Sequence, residues 1–153
     1  MKRILLTALL IIFLTGPLLR CQGRPEEMRY LADLLRGWWV GTEQQPETPL
    51  QLEMRGYWTL GGHFLELELT AKREGEIVDI EKLIFGWDCA EKAYRCWYFN
   101  SKGERKESLW RLQQDNFIVE VSKPNNSLKL EREGSMLLFS FNGKLRTYHL
   151  KQR

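Results

Sequence analysis

Few side chains in this sequence could carry out chemistry, and their spacing limits what that chemistry is. There are two histidines, His63 and His149. His63 precedes Leu65, Leu67 and Leu69 at a period of two. A strand there puts the imidazole on their apolar face, where it orients a ligand or sits hydrogen-bonded in a core. Glu66 and Glu68 are two apart on the opposite face, which makes them a solvated stripe rather than an acid–base pair. No P-loop, G-x-S-x-G, H-E-x-x-H or paired C-x-x-C occurs, and no nucleophile stands with an obvious base. Non-catalytic binding is the expectation, although a pocket that turns over a substrate through shape alone would leave no such signature.

Aromatic rings are the other resource. Trp38, Trp39, Trp58, Trp87, Trp97 and Trp110 crowd one small domain. Indoles of this number either fill and seal a core or wall a pocket that a few polar groups make selective. Cys89 and Cys96 flank the turn Ala90 to Ala93. Pairing Asp88 with Tyr94 would set Cys89 opposite Ala93 and Cys96 opposite Gly86, so a bridge between them would need the turn to shift.

Two kinds of element must position these groups. Pro25-Glu26-Glu27 places a proline and acids in a first helical turn. Met28, Leu31, Leu34 and Leu35 follow at helical spacing until Gly37. The result is an amphipathic plug of about three turns. Beyond it the period falls to two. Leu50, Leu52, Met54, Gly56, Trp58 and Leu60 alternate with Gln51, Glu53, Arg55, Tyr57 and Thr59. Leu65 to Leu69, Phe117 to Val121, Leu128 and Leu130, and Leu137, Phe139 and Phe141 repeat the pattern. Gly61-Gly62, Glu74-Gly75, Lys102-Gly103, Pro124-Asn125-Asn126, Gly134 and Asn142-Gly143 punctuate it. Nine or ten strands without intervening helices predict an antiparallel meander, and a meander of that length hides its edges by closing into an up-and-down β-barrel. The fold class expected is all-β with one short N-terminal helix.

The N-terminus predicts export. Lys2 and Arg3 precede an apolar run from Ile4 to Leu14, then Gly16-Pro17, and Cys21 and Gly23 suit −3 and −1 of a cut before Arg24. Residues 1–23 are thus expected to be a signal peptide and residues 24–153 a single domain. Loss of Lys2, Arg3 and Arg20 brings 23 bases down to 20, level with 20 acids, which leaves no basic balance for nucleic acid. Cys21 also stands where a lipoprotein carries its lipid, but Arg20 fills a position where that peptidase wants a small residue. An uncleaved tether remains the alternative, although Ile4 to Leu19 is shorter than the roughly 20 residues of a spanning helix.

Four short motifs carry a family resemblance over most of residues 30–150. Gly37-Trp38-Trp39-Val40-Gly41 resembles the G-x-W opening of lipocalin-like barrels, and Leu60-Gly61-Gly62-His63-Phe64-Leu65 resembles an L-G-G-R-F-L motif. Gly86-Trp87-Asp88, then Tyr94, Tyr98 and Asn100-Ser101, are similar to a G-Y-D…Y…W…D-S pattern. Together they resemble a bacterial family of lipocalin-like β-barrels of unknown function. This chain departs from its pattern at His63, Tyr98 and Asn100. The resemblance implies a barrel and small-molecule binding. It also implies a structural cation–π contact between Trp39 on the first strand and Arg146 on the last. A fainter resemblance to the nitrobindins implies haem held on a histidine near the C-terminus, here His149. Alternation leaves open whether Leu145, Thr147 and His149 or Arg146, Tyr148 and Leu150 face inward.

The expectation is an exported barrel that holds a small apolar molecule without a cofactor. Met54, Trp58, Leu65, Leu67, Phe139 and Phe141 would be its walls and His63 the orienting group. The alternatives are a haem protein using His149 and a filled barrel serving as an envelope interaction module.

Overall fold

The computed structural model describes residues 26–43, 49–113, 117–121, 127–141 and 144–150, of which 117–119, 127–132, 138–141, 144–147 and 150 are described by backbone alone. The expected signal segment, the Asn142-Gly143 and Pro124-Asn125-Asn126 turns, and the side chains of Phe139, Phe141 and Arg146 lie outside that description.

Helix α1 spans Glu26–Leu35, with Glu26 and Glu27 in its first turn, where the helix dipole favours acids. It buries Met28, Leu31, Ala32 and Leu35, a stripe spaced by three and four residues. The strands follow as β1 (Gly37–Glu43), β2 (Leu50–Thr59), β3 (Phe64–Arg73), β4 (Glu76–Asp88), β5 (Ala93–Asn100), β6 (Arg105–Gln113), β7 (Phe117–Glu120), β8 (Ser127–Glu133), β9 (Met136–Phe141) and β10 (Lys144–Leu150). The described residues are therefore mostly antiparallel sheet with one α-helix, as the change of period predicts. Each strand pairs with the next in the chain, and β1 pairs with both β2 and β10.

Register lines up the alternation of neighbouring strands into one core face. Trp39 lies opposite Met54, and Met54 opposite Leu69. Leu65 lies opposite Phe85, and Phe85 opposite Cys96. These residues are at most 7% exposed. With the buried stripe of α1, Leu67, Tyr94, Trp110, Leu137 and Tyr148 they form one core. The helix lies directly on the sheet because of Gly56, where an added Cβ would come 2.2 Å from the Leu35 carbonyl oxygen. Any side chain there would push the helix off.

Two aromatic donors then fix α1 at both ends. The Trp39 indole Nε1–H donates to the Leu35 carbonyl at 2.9 Å, satisfying one of the acceptors a helix leaves open at its C-terminus. The Tyr94 hydroxyl donates to the Glu27 carbonyl at 3.0 Å. Burial pushes that hydroxyl far above its ordinary pKa, so it stays a donor at any physiological pH. Trp87 meets the Tyr94 ring edge-on, with centroids 5.3 Å apart.

Candidate functional site

The described residues leave a hollow at the end of the sheet away from α1. A cavity of about 230 Å³ lies between β2, β3, β4 and β10, lined by Leu50, Leu52, Leu69, Thr70, Ala71, Arg73, Val78, Asp79, Glu81 and Tyr148. Leu50 is six residues along β2 from the helix contact at Gly56, roughly 20 Å at the rise of a strand. Glu81 brings a carboxylate to the cavity wall, and the Tyr98 hydroxyl donates to its Oε1 at 3.0 Å. Burial, and then that hydrogen bond, push the Tyr98 hydroxyl up to about 12, so it stays a phenol donor at neutral pH. Asp79 is a second carboxyl in the lining, held by the Ser101 hydroxyl at 2.8 Å, and Arg73 is a cation there. Leucine walls with two oriented carboxyl groups suit a small molecule that has an apolar body and a donor or cationic end.

The residues singled out as walls fall elsewhere on the same face. Met54, Leu65 and Leu67 are at most 1% exposed and belong to the core that includes Met28, Leu31 and Leu35. Trp58 is partly buried against that core, opposite Leu65. At this end the helix supplies the apolar surface that a ligand was expected to supply. The inward face of β2 and β3 is thus as expected, but the open volume lies further along it, at Leu50, Leu52 and Leu69.

His63 is corrected outright, because it is exposed and precedes β3 rather than lying within it. Leu60, Gly61 and Gly62 form a short turn in which all three residues have positive φ (48°, 72° and 82°). Positive φ at Gly61 and Gly62 is what glycine permits at no steric cost. His63 leaves the turn with helical φ and ψ of −93° and −18°, so strand alternation restarts only at Phe64. His149 is likewise exposed. It pairs with Val40 and Met136, while its neighbour Tyr148 is 1% exposed on the core face opposite Gly41. That resolves the phase of β10 against His149 and takes from the haem reading the ligand it relied on. Among the described residues no cluster of three or more His, Cys, Asp or Glu could hold a metal ion.

The expected Trp39–Arg146 contact rests on a side chain outside the description. The cation–π pair seen at this strand is Arg55 over Trp38, 4.5 Å from the ring centroid. Trp39 instead faces the core and holds the helix.

A second hollow, of about 350 Å³, lies beside the β4–β5 turn and is lined by Phe64, Gly86, Trp87, Asp88, Cys89, Ala90, Arg95 and Trp97. Its polar groups are committed to the turn. Asp88 Oδ1 accepts from the Ala90 and Glu91 amides at 3.0 and 3.1 Å. Its Oδ2 takes Arg95 Nη2 at 2.5 Å, and Arg95 also pairs with Glu107. The Arg95 guanidinium, and then the Glu91 amide, hold the Asp88 carboxyl below its usual range. Asp88 pairs with Ala93 rather than Tyr94, one residue out from the expected register, because Cys89 to Lys92 make a four-residue turn on this carboxylate. Cys96 therefore faces Phe85 and is a buried free thiol, whereas Cys89 is disulfide-bonded. The Cys89–Cys96 bridge does not form.

On the outer face, Glu66 is more enclosed than a solvated stripe would be. Tyr57 donates to its Oε1 at 2.8 Å and Lys82 lies 2.6 Å away. Burial alone would raise the Glu66 pKa, but these two partners outweigh it and hold the carboxyl below its usual range. Glu66 is a cross-strand tie with no route to the cavity.

Glu81, Leu69 and Tyr148 are among the cavity residues that sequence reasoning did not single out as a site, and Tyr98, which donates to Glu81, was not assigned to one either. The signal for Glu81 was weak because both phases of β4 carry apolar residues, Leu83 and Phe85 in one and Ile80 and Ile84 in the other. Comparison with protein-family models gives no match, and comparison with curated proteins gives none either.

Proposed function

We propose that the pairing of β1 with β10 closes the sheet into a ten-stranded, lipocalin-like up-and-down barrel, and that its open end holds a small molecule in an exported, non-catalytic protein. Helix α1 plugs the other end. The observation that carries this reading is the cavity of about 230 Å³ with Glu81 fixed by Tyr98 in its wall. A volume below the 300–1,000 Å³ of drug-sized pockets calls for a compact ligand. Burial of its apolar body against Leu50, Leu52, Leu69 and Val78 would drive binding, and the carboxylate would orient a donor or ammonium group. Export rests on the basic, apolar and Gly-Pro order of residues 2–17.

The test is a titration with a small aromatic amine, followed by tryptophan fluorescence and calorimetry. Binding to the wild type is expected to fall about tenfold in Glu81→Gln, the size of a lost hydrogen bond to a charged group. It is expected to disappear in Ala71→Leu, which fills the cavity. Equal affinity in all three proteins would show that this cavity is not the site. No binding to any of them, together with exclusion of apolar dyes, would favour a filled barrel acting as an interaction module.

A further inference from the structure

The cavity carries charge of both signs, and the strands set those charges in a fixed order. Register aligns Tyr148, Gly41, Leu52, Ala71 and Asp79 as one row across β10, β1, β2, β3 and β4. Ala71 is the small lining residue in the middle of that row, and the lining differs in three directions around it. Toward β2 and β10 stand Leu50, Leu52 and the ring of Tyr148. Toward β4 stand the carboxyl groups of Asp79 and, one row further in opposite Leu69, Glu81. Each accepts a hydroxyl, from Ser101 at 2.8 Å and from Tyr98 at 3.0 Å. Along β3, two residues from Ala71 and about 7 Å away at the rise of a strand, stands Arg73. It is exposed where β3 runs into its turn, and it belongs to the lining. Its neighbour Lys72 pairs with Glu53 on the outer face at 2.7 Å, so alternation puts Arg73 on the inner one.

An apolar, an acidic and a basic direction that meet over one small residue match three substituents of a single carbon. We infer, on the strength of the binding proposed above, that the cavity takes a zwitterion, an α-amino acid with an apolar side chain. Its ammonium lies against Asp79 and Glu81, its carboxylate against the Arg73 guanidinium, and its side chain against Leu50, Leu52 and Tyr148. A simple amine would meet the two carboxyl groups, but it would have to pass a guanidinium of its own sign at the mouth. Arg73 is then the residue that tells an amino acid from the amine of the same skeleton. Three fixed directions at one carbon also make the site sensitive to handedness, since exchanging two substituents sets each against the wrong wall.

The test is calorimetry on the full chain with three probes that share a phenyl body: phenylalanine, phenethylamine and hydrocinnamate. Phenylalanine is expected to bind about tenfold tighter than phenethylamine, the gain of one charge-assisted pair, and hydrocinnamate not measurably. Arg73→Gln should bring phenylalanine down to the affinity of the amine while leaving the amine no weaker, and Arg73→Lys should restore part of the gap. The two enantiomers of phenylalanine should differ severalfold on the wild type. Phenethylamine binding as tightly as phenylalanine, or both probes losing equally in Arg73→Gln, would overturn the zwitterion and leave the cavity as the site. No binding of any probe would overturn the binding reading itself, and the amino acid with it.

Discussion

The two ends of the sheet are built from the same strands and the same alternation, yet they close in different ways. At the helix end, inward side chains from β1 to β5 meet Met28, Leu31 and Leu35, and the backbone acceptors at Glu27 and Leu35 are satisfied by Tyr94 and Trp39. At the other end the inward positions are shared by Leu50, Leu52, Leu69, Ala71 and Glu81, and a cavity remains. Ala71 and Glu81, small and polar at inward positions, leave space that none of the described residues fills. The proposed function puts binding at the cavity end and leaves stability to the helix end, and substitutions can separate the two.

Gly56→Ala should have the largest effect. Its Cβ would meet a backbone oxygen at 2.2 Å, so α1 must shift as a body. A loss of about 3 kcal/mol is expected in denaturant unfolding, the upper part of the range for overpacking. Trp39→Phe comes next, with about 1–3 kcal/mol for the lost indole volume and the Leu35 hydrogen bond. Tyr94→Phe removes only the hydroxyl and should cost about 1 kcal/mol. If helix-end substitutions altered ligand affinity as much as stability, the separation of the two ends would fail.

Ala71→Leu reverses the pattern. It should abolish binding of the aromatic amine while changing the unfolding free energy by less than about 1 kcal/mol, since it adds apolar volume to open space. The smallest effect is expected at Asp88, which belongs to neither process directly. Its folded pKa lies below 3.8, so its stabilisation is complete above the unfolded value and is lost as pH falls through the folded one. Asp88→Asn should therefore lower Tm modestly at neutral pH and flatten the fall in Tm below about pH 4.

The helix and the strands were legible because their periods differ, and Gly37 marks where one gives way to the other. The inward face of β2 and β3 was equally plain, since one phase is leucine and methionine and the other charge. Three features were not. His63 looked like part of the leucine face, but the positive-φ turn before it restarts the alternation one residue later. β4 carries apolar residues in both phases, so nothing local chooses Glu81 over Lys82 as the inward group. The volume left by the helix depends on where α1 lands along the sheet. That is set by a long-range contact at Gly56, which no local pattern announces.

Native mass spectrometry of the wild type and Ala71→Leu, each purified from an exporting host, tests the central claim most directly. The account predicts a small, discrete excess mass on the wild type that is absent from Ala71→Leu, with both proteins folded. Excess mass retained in Ala71→Leu would place the ligand elsewhere and contradict the assignment of binding to the open end.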